Sequence, residues 1–139
     1  MKTDFEISTN TERLDLVYVV KYLSEVSYWA KGRKEERILT AVENSFCFGV
    51  YLNGQQIGFA RVVTDFAVFA WIMDVFIDPS FQGAGYGKAL IDNIIKHHKL
   101  KSISRWGLNT LDAHEFYKQY GFQELDKPDI YMEMLIKQE

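Results

Sequence analysis

The spacing of hydrophobic residues changes along the chain, and each change marks a predicted element. Apolar residues recur at helical spacing from Leu14 to Val26, and a second short helix is predicted over Glu35–Val42. Two apolar runs, residues 46–52 and 55–63, flank Asn53-Gly54. This dipeptide is typical of a tight β-hairpin because both of its residues tolerate positive φ. The first half of the chain is therefore predicted to form two helices followed by a hairpin.

The remaining pattern predicts strands at both ends and a second helical region. Short strands are expected at Phe5–Ser8 and Arg105–Leu108, and a longer strand ends at Ile77. A helix follows that longer strand, a short helix covers residues 112–120, and a final strand pair is predicted from Phe122 to Ile136. The order predicts one α+β domain over residues 1–139, with a mixed, mostly antiparallel sheet flanked by helices.

A glycine-rich turn, Asp78–Lys88, joins the strand that ends at Ile77 to the following helix. The first N–H groups of a helix lack intrahelical acceptors and can bind a phosphate or pyrophosphate. Glycines permit positive φ and a close approach of the main chain to the anion. The glycine spacing differs from the dinucleotide fingerprint, and Ala89 stands where a magnesium-binding phosphate loop carries Ser or Thr. A phosphate-bearing cofactor of another kind is predicted, and a tight turn without a ligand is the alternative.

Two segments resemble the signatures of the GNAT-type N-acetyltransferases. Gln82-x-x-Gly85-x-Gly87 is similar to the loop that wraps the pyrophosphate of acetyl-coenzyme A in that superfamily. Its second signature, Asn-x-x-Ala-x-x-x-Tyr followed by Gly-Phe, is matched except that Thr110 stands at the first position. The cofactor-binding residues implied by the resemblance are Val75, Phe76, Ile77, Gln82, Gly83, Ala84, Gly85, Tyr86, Gly87, Lys88, Thr110 and Ala113.

The resemblance implies direct transfer of an acetyl group to an amine, without a covalent enzyme intermediate. The strand before the glycine loop splays from its neighbour in this superfamily, and the main chain of Val75, Phe76 and Ile77 would bind pantetheine. A main-chain N–H near Val75 or Phe76 could polarise the thioester carbonyl. Tyr117 is the candidate general acid that protonates the leaving thiolate, and packing against the sheet is its structural alternative.

A carboxylate within an apolar strand makes Asp74 the candidate general base. It could also attract a cationic acceptor, or bond to a neighbouring strand or to Arg61, and these interpretations stay open. The aromatic pair and the cation that lie between the first two helices are candidates for acceptor contact, together with two residues near the longer strand. These candidate substrate residues are Tyr28, Trp29, Arg33, Asp65 and Trp71, with capping of a turn as the alternative for Asp65 and packing as that for the aromatic residues.

Composition and charge narrow the classes of partner. The chain is 47% hydrophobic with a net charge of −3 and has no basic stretch for nucleic acid to neutralise. No apolar run is long enough for a membrane span, and the N-terminus lacks the apolar region of a signal peptide. With Cys47 as the single cysteine and the histidines apart from suitable ligands, no internal disulfide and no metal site are expected. A cytoplasmic location is predicted.

The function expected from the sequence is acetyl-coenzyme A-dependent N-acetylation of a primary amine on a small molecule. Acetylation of a protein lysine or N-terminus is one alternative, and a non-catalytic sensor of acetyl-coenzyme A is another. The C-terminal strands or an exposed sheet edge could also join two copies as a homodimer.

Overall fold

The computed structural model describes residues 4–138 and divides them into two compact units, one ending at Asn109 and the other beginning at Thr110. The first unit contains five strands and three α-helices. The strands are β1 (Phe5–Ser8), β2 (Phe46–Leu52), β3 (Gln55–Thr64), β4 (Phe69–Ile77) and β5 (Arg105–Leu108). The helices are α1 (Leu16–Lys21), which continues as a π-helical turn over Tyr22–Val26, α2 (Glu35–Glu43) and α3 (Tyr86–Ile95).

The sheet has the order β1-β2-β3-β4-β5, with three antiparallel pairs and a parallel pair between β4 and β5. Asn53 and Gly54 have φ of 51° and 82°, the positive values that a two-residue hairpin turn requires. The predicted hairpin is confirmed, as is the α+β class with a mixed, mostly antiparallel sheet flanked by helices.

Helices cover both faces of the sheet. On one face α1, the π-helical turn and α2 bury Val19, Leu23 and Ile38 in a cluster that includes Phe59 and Phe76. On the other face α3 packs against β2 and β4 through its fully buried side chains, Leu90, Ile91 and Ile94. Burial of each such aliphatic side chain contributes roughly 1.5–3 kcal/mol. These two layers hold β4 and the loop that follows it between them.

A β-bulge interrupts the pairing of β4 with β3. Arg61 pairs with Met73 and Phe59 with Phe76, so Asp74 and Val75 together face Ala60. Asp74 has φ of 53°, an uncommon conformation for a residue other than glycine. A bulge places an extra residue in one strand and redirects its side chain, and such features are frequent beside active sites.

The parallel pairing of β4 with β5 ends at Ile72 and Leu108. Beyond that point, among residues 4–138, the segment Met73–Ile77 has β3 as its only neighbour in the sheet. The sheet is therefore open along the second half of β4, next to the glycine loop, which agrees with the expected splaying of this strand.

The second unit contains one short helix, α4 (His114–Lys118). This helix is shorter than the predicted range of residues 112–120, and its N-cap is Ala113. Instead, the Thr110 hydroxyl accepts a hydrogen bond from the Ala113 N–H (3.0 Å) and closes the turn that precedes the helix. The C-cap of the helix is Gln119, and Gly121, with φ of 99°, lies two residues beyond it.

The predicted strand pair between Phe122 and Ile136 is wrong. Residues 122–138 contain a single 3-10 turn, Pro128–Ile130, and no strand. The alternation of side chains identifies a segment that can act as a strand, but a strand forms only where another strand satisfies its main-chain groups. Met132 and Leu135 consequently remain 90% and 84% exposed.

Within residues 4–138, the helices are all too short or too polar to cross a lipid bilayer.

Candidate active site

The glycine loop ends at the start of α3 with two residues in the left-handed conformation. Gly83 and Gly85 have φ of 84° and 87°, and a Cβ at either position would have no heavy atom within 4 Å. Conformation, and not crowding, therefore makes glycine necessary there. The Ala89 N–H donates to the Gly85 carbonyl (3.1 Å), so the main-chain N–H groups before Ala89 lie at the positive end of a ten-residue helix. This end of α3 is suited to an anionic group.

Hydrogen bonds fix the beginning of the loop. The Tyr18 hydroxyl donates to the Asp78 carboxylate (2.9 Å), and the Asp78 N–H donates to the Ile57 carbonyl (2.7 Å). The Gln82 amide donates to the Ile77 carbonyl (2.9 Å) and closes the turn. One N–H of the Gln82 side-chain amide is therefore engaged within the turn itself.

The remaining loop residues differ in exposure. The Tyr86 ring stacks on Phe5 of β1 at 5.0 Å between centroids, which ties the beginning of α3 to the edge of the sheet. A Cβ on Gly87 would lie 3.8 Å from Ile77, an ordinary contact. Ala84 and Lys88 are exposed. Neither a positive φ nor crowding therefore requires glycine at position 87.

The main chain of β4 offers alternate groups to the open side of the sheet. The Asp78 N–H points toward β3, because it donates to Ile57. Main-chain groups alternate along a strand, so those of Phe76 also face β3 while those of Val75 and Ile77 face the opening. The Phe76 side chain is buried and stacks on Tyr22 at 3.8 Å. By this alternation Phe76 is excluded as a donor on the open side, and Val75, which belongs to the bulge with Asp74, is the candidate donor there.

A buried carboxylate lies at the bulge of β4. Asp74, whose side chain is 2% exposed, accepts hydrogen bonds from Arg61 Nε (2.6 Å) and from an Arg33 guanidinium nitrogen (3.0 Å) on one oxygen. Its other oxygen accepts from the Trp29 indole N–H (2.8 Å). The Arg61 guanidinium also donates to the Ser45 hydroxyl (3.2 Å). Of the interpretations left open by the sequence, the bond between Asp74 and Arg61 is the one observed.

These contacts determine the ionisation of Asp74. Burial alone would raise its pKa, but the hydrogen bond and charge of Arg61, with the charge of Arg33 and the Trp29 hydrogen bond, outweigh burial and lower the pKa below its ordinary value. The carboxylate is therefore ionised at neutral pH and is a poor acceptor of a further proton.

Asp74 anchors the loop between the π-helical turn and α2 beside Val75. Within this loop the Ser27 hydroxyl donates to the Leu23 carbonyl (2.6 Å) and accepts from the Ala30 N–H (3.1 Å). The Tyr28 and Trp29 rings meet edge to face at 5.2 Å and are 60% and 39% exposed. Three predicted site residues, Trp29, Arg33 and Asp74, thus come together, with two exposed aromatic surfaces next to the open part of β4.

The structure places the other two candidate substrate residues in different surroundings. The Asp65 carboxylate accepts the N–H groups of Ala67, Val68 and Phe69 (2.8, 2.8 and 3.1 Å), which lowers its pKa. It therefore caps the turn between β3 and β4, as the alternative interpretation proposed. Trp71 stacks with Phe69 at 6.3 Å and covers Gly107 of β5, where a Cβ would collide with its ring.

The candidate general acid lies in the second unit. Tyr117 is on α4, half-buried, with edge-to-face contacts to Phe116 (5.0 Å) and Phe122 (5.9 Å). Thr110 and Ala113 join through the hydrogen bond described above. The glycine-loop signature therefore lies in the first unit, and the second signature, from Thr110 to Phe122, lies in the second unit.

Sequence reasoning missed two tyrosines that support the site. Tyr18 holds Asp78 before the glycine loop, and Tyr22 stacks on Phe76 next to the open part of β4. Their spacing of four residues on one helical face was the available signal. The π-helical turn that carries Tyr22 gives no clear signal in the sequence, although such turns are frequent at functional sites.

Two further groups bear on the chemistry. In residues 4–138 no cluster of three or more His, Cys, Asp or Glu side chains could hold a metal ion. Burial raises the pKa of the Cys47 thiol to about 12, so this thiol is protonated at neutral pH. The Cys47 thiol is therefore unsuited to act as a nucleophile.

Comparison with protein families matches residues 43–124 to the model of the acetyltransferase (GNAT) domain. The uncharacterised N-acetyltransferase ycf52 of Pyropia yezoensis is 33% identical over 125 residues, which cover 86% of this chain and 70% of that protein. The histone acetyltransferase TAP1 of Glycine max is 34% identical over 123 residues, covering 77% of this chain and 52% of that protein. The chain thus spans about half the length of the soybean relative.

Solved structures agree with this match. A protein from Xanthomonas campestris pv. campestris, described as an acetyltransferase of the GNAT family, superposes with a TM-score of 0.93 at 38% identity, covering 96% of this chain and 94% of that one. A predicted acetyltransferase from Clostridium acetobutylicum, solved with acetyl-CoA, has a TM-score of 0.65 at 18% identity, with 96% of each chain covered. The latter likeness establishes the shared fold.

Proposed function

This chain belongs to the GNAT family of acetyltransferases, and we propose that it moves an acetyl group from acetyl-CoA directly to a primary amine on a small molecule. The GNAT fold implies the use of acetyl-CoA, which supplies the acetyl group as a thioester. The observation that carries the proposal is the pair of left-handed glycines, Gly83 and Gly85, at the start of α3 and beside the open half of β4.

We assign the diphosphate of acetyl-CoA to the main-chain N–H groups of residues 83–87. The residues present fit such a group, since both left-handed glycines lack neighbours at their Cβ positions and the helix end favours an anion. The Val75 N–H, on the open side of β4, is the proposed donor to the thioester carbonyl oxygen. A fixed donor at that position stabilises the negative charge that develops on this oxygen during transfer.

Tyr117 is proposed as the acid that protonates the departing thiolate, on the basis of its position in the second signature. For Asp74 the contacts favour a positioning role over that of general base. Two arginines and an indole N–H occupy its oxygens, and its lowered pKa makes it a weak proton acceptor. In this proposal Asp74 holds Trp29 and Arg33 beside Val75, and the amine loses its proton to water.

The acceptor is proposed to carry a flat or apolar group next to its amine. The exposed Tyr28 and Trp29 rings provide an aromatic surface, and the hydrogen bond from Trp29 to Asp74 keeps this surface in place. A protein amine is the second candidate, favoured by the relative from Glycine max that is named a histone acetyltransferase. A cytoplasmic location stays a prediction from the lone cysteine.

An acceptor panel tests this function. Release of free coenzyme thiol from acetyl-CoA should rise with one or more small aromatic or apolar primary amines and stay at the background rate with lysine-containing peptides. The reverse preference would replace the small amine with a protein acceptor. Tight binding of acetyl-CoA by calorimetry, with no thiol released by any amine or peptide, would instead indicate a sensor and contradict the proposal.

A further inference from the structure

The cluster around Asp74 holds more positive than negative charge. Arg33 and Arg61 both donate to one oxygen of this carboxylate, at 3.0 and 2.6 Å. Within residues 4–138, Asp74 is the only carboxylate in salt-bridge contact with either guanidinium. Two cations and one anion leave one positive charge without a counterion. Such a charge is costly to bury unless water or a ligand reaches it.

Of the two arginines, Arg33 is the one that a ligand can reach. Its side chain is 21% exposed, against 9% for that of Arg61. A guanidinium carries five N–H donors. In the part of the chain that the structure describes, the Arg33 side chain makes a single hydrogen bond, from Nη1 to Asp74, whereas Arg61 also donates to Ser45. Several donors of Arg33 therefore remain available to an anion.

A tight turn fixes the main chain at Arg33. The Arg33 N–H donates to the Ala30 carbonyl (2.9 Å), and the Gly32 N–H donates to the Ser24 carbonyl (2.8 Å). Gly32 has φ of 82°, the positive value that the third residue of some β-turns requires. Because the turn holds one end of Arg33 and Asp74 holds the other, binding at this guanidinium needs little additional ordering.

The Arg33 guanidinium lies close to the proposed place of acetyl transfer. It bonds to Asp74, and the next residue of β4 is Val75, the candidate donor to the thioester carbonyl. The same carboxylate accepts the Trp29 indole N–H (2.8 Å), and the Tyr28 ring contacts that of Trp29. An acceptor whose amine lies at Val75 would therefore have both an aromatic surface and a guanidinium next to it.

The loop that carries Arg33 is positively charged throughout. Residues 27–34 include Lys31, Arg33 and Lys34 but no Asp or Glu, in a chain whose net charge is −3. Lys31 and Lys34 are exposed. A positive potential attracts anions, and it also disfavours the protonated form of a nearby amine. The loop thus suits an acceptor that is anionic away from its amine.

We propose that Arg33 binds a carboxylate of the acceptor, so that the substrate is a small aromatic or apolar amine that also carries a carboxylate. This inference rests on the proposed function. A guanidinium matches the two oxygens of a carboxylate, whose single charge balances the one unmatched positive charge of the cluster. A phosphate monoester carries about −1.5 to −2 charges at neutral pH and balances it less well. Arg33 then determines the specificity for the acceptor.

Acceptors of matched shape test the proposal. One set is free phenylalanine, its neutral amide and phenethylamine, and the other is free tryptophan, its neutral amide and tryptamine. In at least one set, thiol release should give the carboxylate a kcat/KM at least about tenfold above both neutral amines, the usual effect of a hydrogen bond between charged groups. Arg33→Gln should abolish this preference and keep kcat/KM for the neutral amines within about threefold of the native value. An equal loss for all acceptors would show a purely structural role and overturn the proposal.

Lys34→Gln is the matched control. It removes one positive charge from the same loop, at a side chain that makes no capping hydrogen bond to α2. The preference for the carboxylate should therefore persist. Equal loss of this preference in both variants would indicate general attraction of anions and overturn binding at Arg33. A stronger preference for aminoethyl phosphate, lost in Arg33→Gln, would overturn the carboxylate in favour of a phosphate.

Inhibition of the native chain gives a measurement that needs no variant. Phenylpropionate has the ring and the carboxylate but no amine, and it should compete with the amine substrate, whereas the neutral phenylpropanol should not. Equal inhibition by the two compounds, or none by either, would overturn the proposal. Turnover of neutral amines without a preference for carboxylates would overturn this inference and leave the proposed acetyl transfer intact. Absence of thiol release with every amine would overturn both.

Discussion

Replacement of Asp74 by asparagine is expected to lower the free energy of unfolding by about 3–5 kcal/mol near neutral pH, which is the usual cost of removing one partner from a buried ion pair. The amide keeps the shape of the carboxylate but loses its charge, and its NH2 group would face an arginine. Arg61, whose side chain is 9% exposed, would then be left as a buried cation without its counterion. Urea denaturation of the native chain and the variant measures this difference.

A double-mutant cycle distinguishes loss of the pair from a general loss of packing. Arg61→Gln/Asp74→Asn removes both charges together, so its loss of stability should be smaller than the sum of the two single losses. Asp65→Asn is the matched control, because an asparagine can still cap the turn, and it should cost no more than about 1 kcal/mol. Additive losses at Asp74 and Arg61 would contradict a stabilising ion pair between these two side chains.

The loss of stability caused by Asp74→Asn depends on pH. The pKa of Asp74 is lowered in the folded protein, so its stabilising effect is fully present above the ordinary carboxyl value of 3.8 and disappears as the pH falls through the lower folded value. The difference in stability between the native chain and Asp74→Asn should therefore narrow only in that acidic range.

If Asp74 were the general base, the substitution would also remove the acidic limb of the pH–rate profile. A positioning role predicts an unchanged profile with a raised KM for the acceptor.

Replacement of Tyr117 by phenylalanine is expected to lower kcat at least tenfold, equivalent to about 1.4 kcal/mol in the activation barrier. The substitution removes the proposed proton donor but keeps the ring that contacts Phe116 and Phe122. The affinity for acetyl-CoA should change little, because the loop of residues 83–87 is unaltered. Thiol-release kinetics and calorimetry of the same preparation separate these two effects.

Tyr120→Phe, a similar half-buried ring just beyond α4, provides the control and should keep the native kcat. Equal losses in both variants would point to altered packing of the second unit. Unchanged turnover in Tyr117→Phe would remove this hydroxyl from the mechanism.

Local patterns in the sequence were sufficient to predict most of the first unit. Asn53-Gly54 determines its own turn, and Gly83 and Gly85 adopt the positive φ that the cofactor loop was expected to need. The capping role of Asp65 also follows from nearby main-chain groups. Each of these features depends on neighbours in sequence, which a single chain reveals directly.

Features that depend on distant partners could not be predicted in the same way. The positive φ of Asp74 arises where two residues of β4 face one of β3, and its ion pairs join residues 33, 61 and 74. The alternation of residues 131–136 predicted a strand, but no strand forms there, because alternation alone does not supply a partner for the main-chain groups. Pairing of a strand depends on residues far away in the sequence, so the strand pair predicted between Phe122 and Ile136 could not be judged from local alternation.

A crystal structure of the chain with bound acetyl-CoA tests the central claim most directly. The proposed function predicts diphosphate oxygens within hydrogen-bond distance of the main-chain N–H groups of residues 83–87, and the thioester carbonyl near the Val75 N–H. Acetyl-CoA bound elsewhere, or a glycine loop left empty at a saturating concentration, would contradict it.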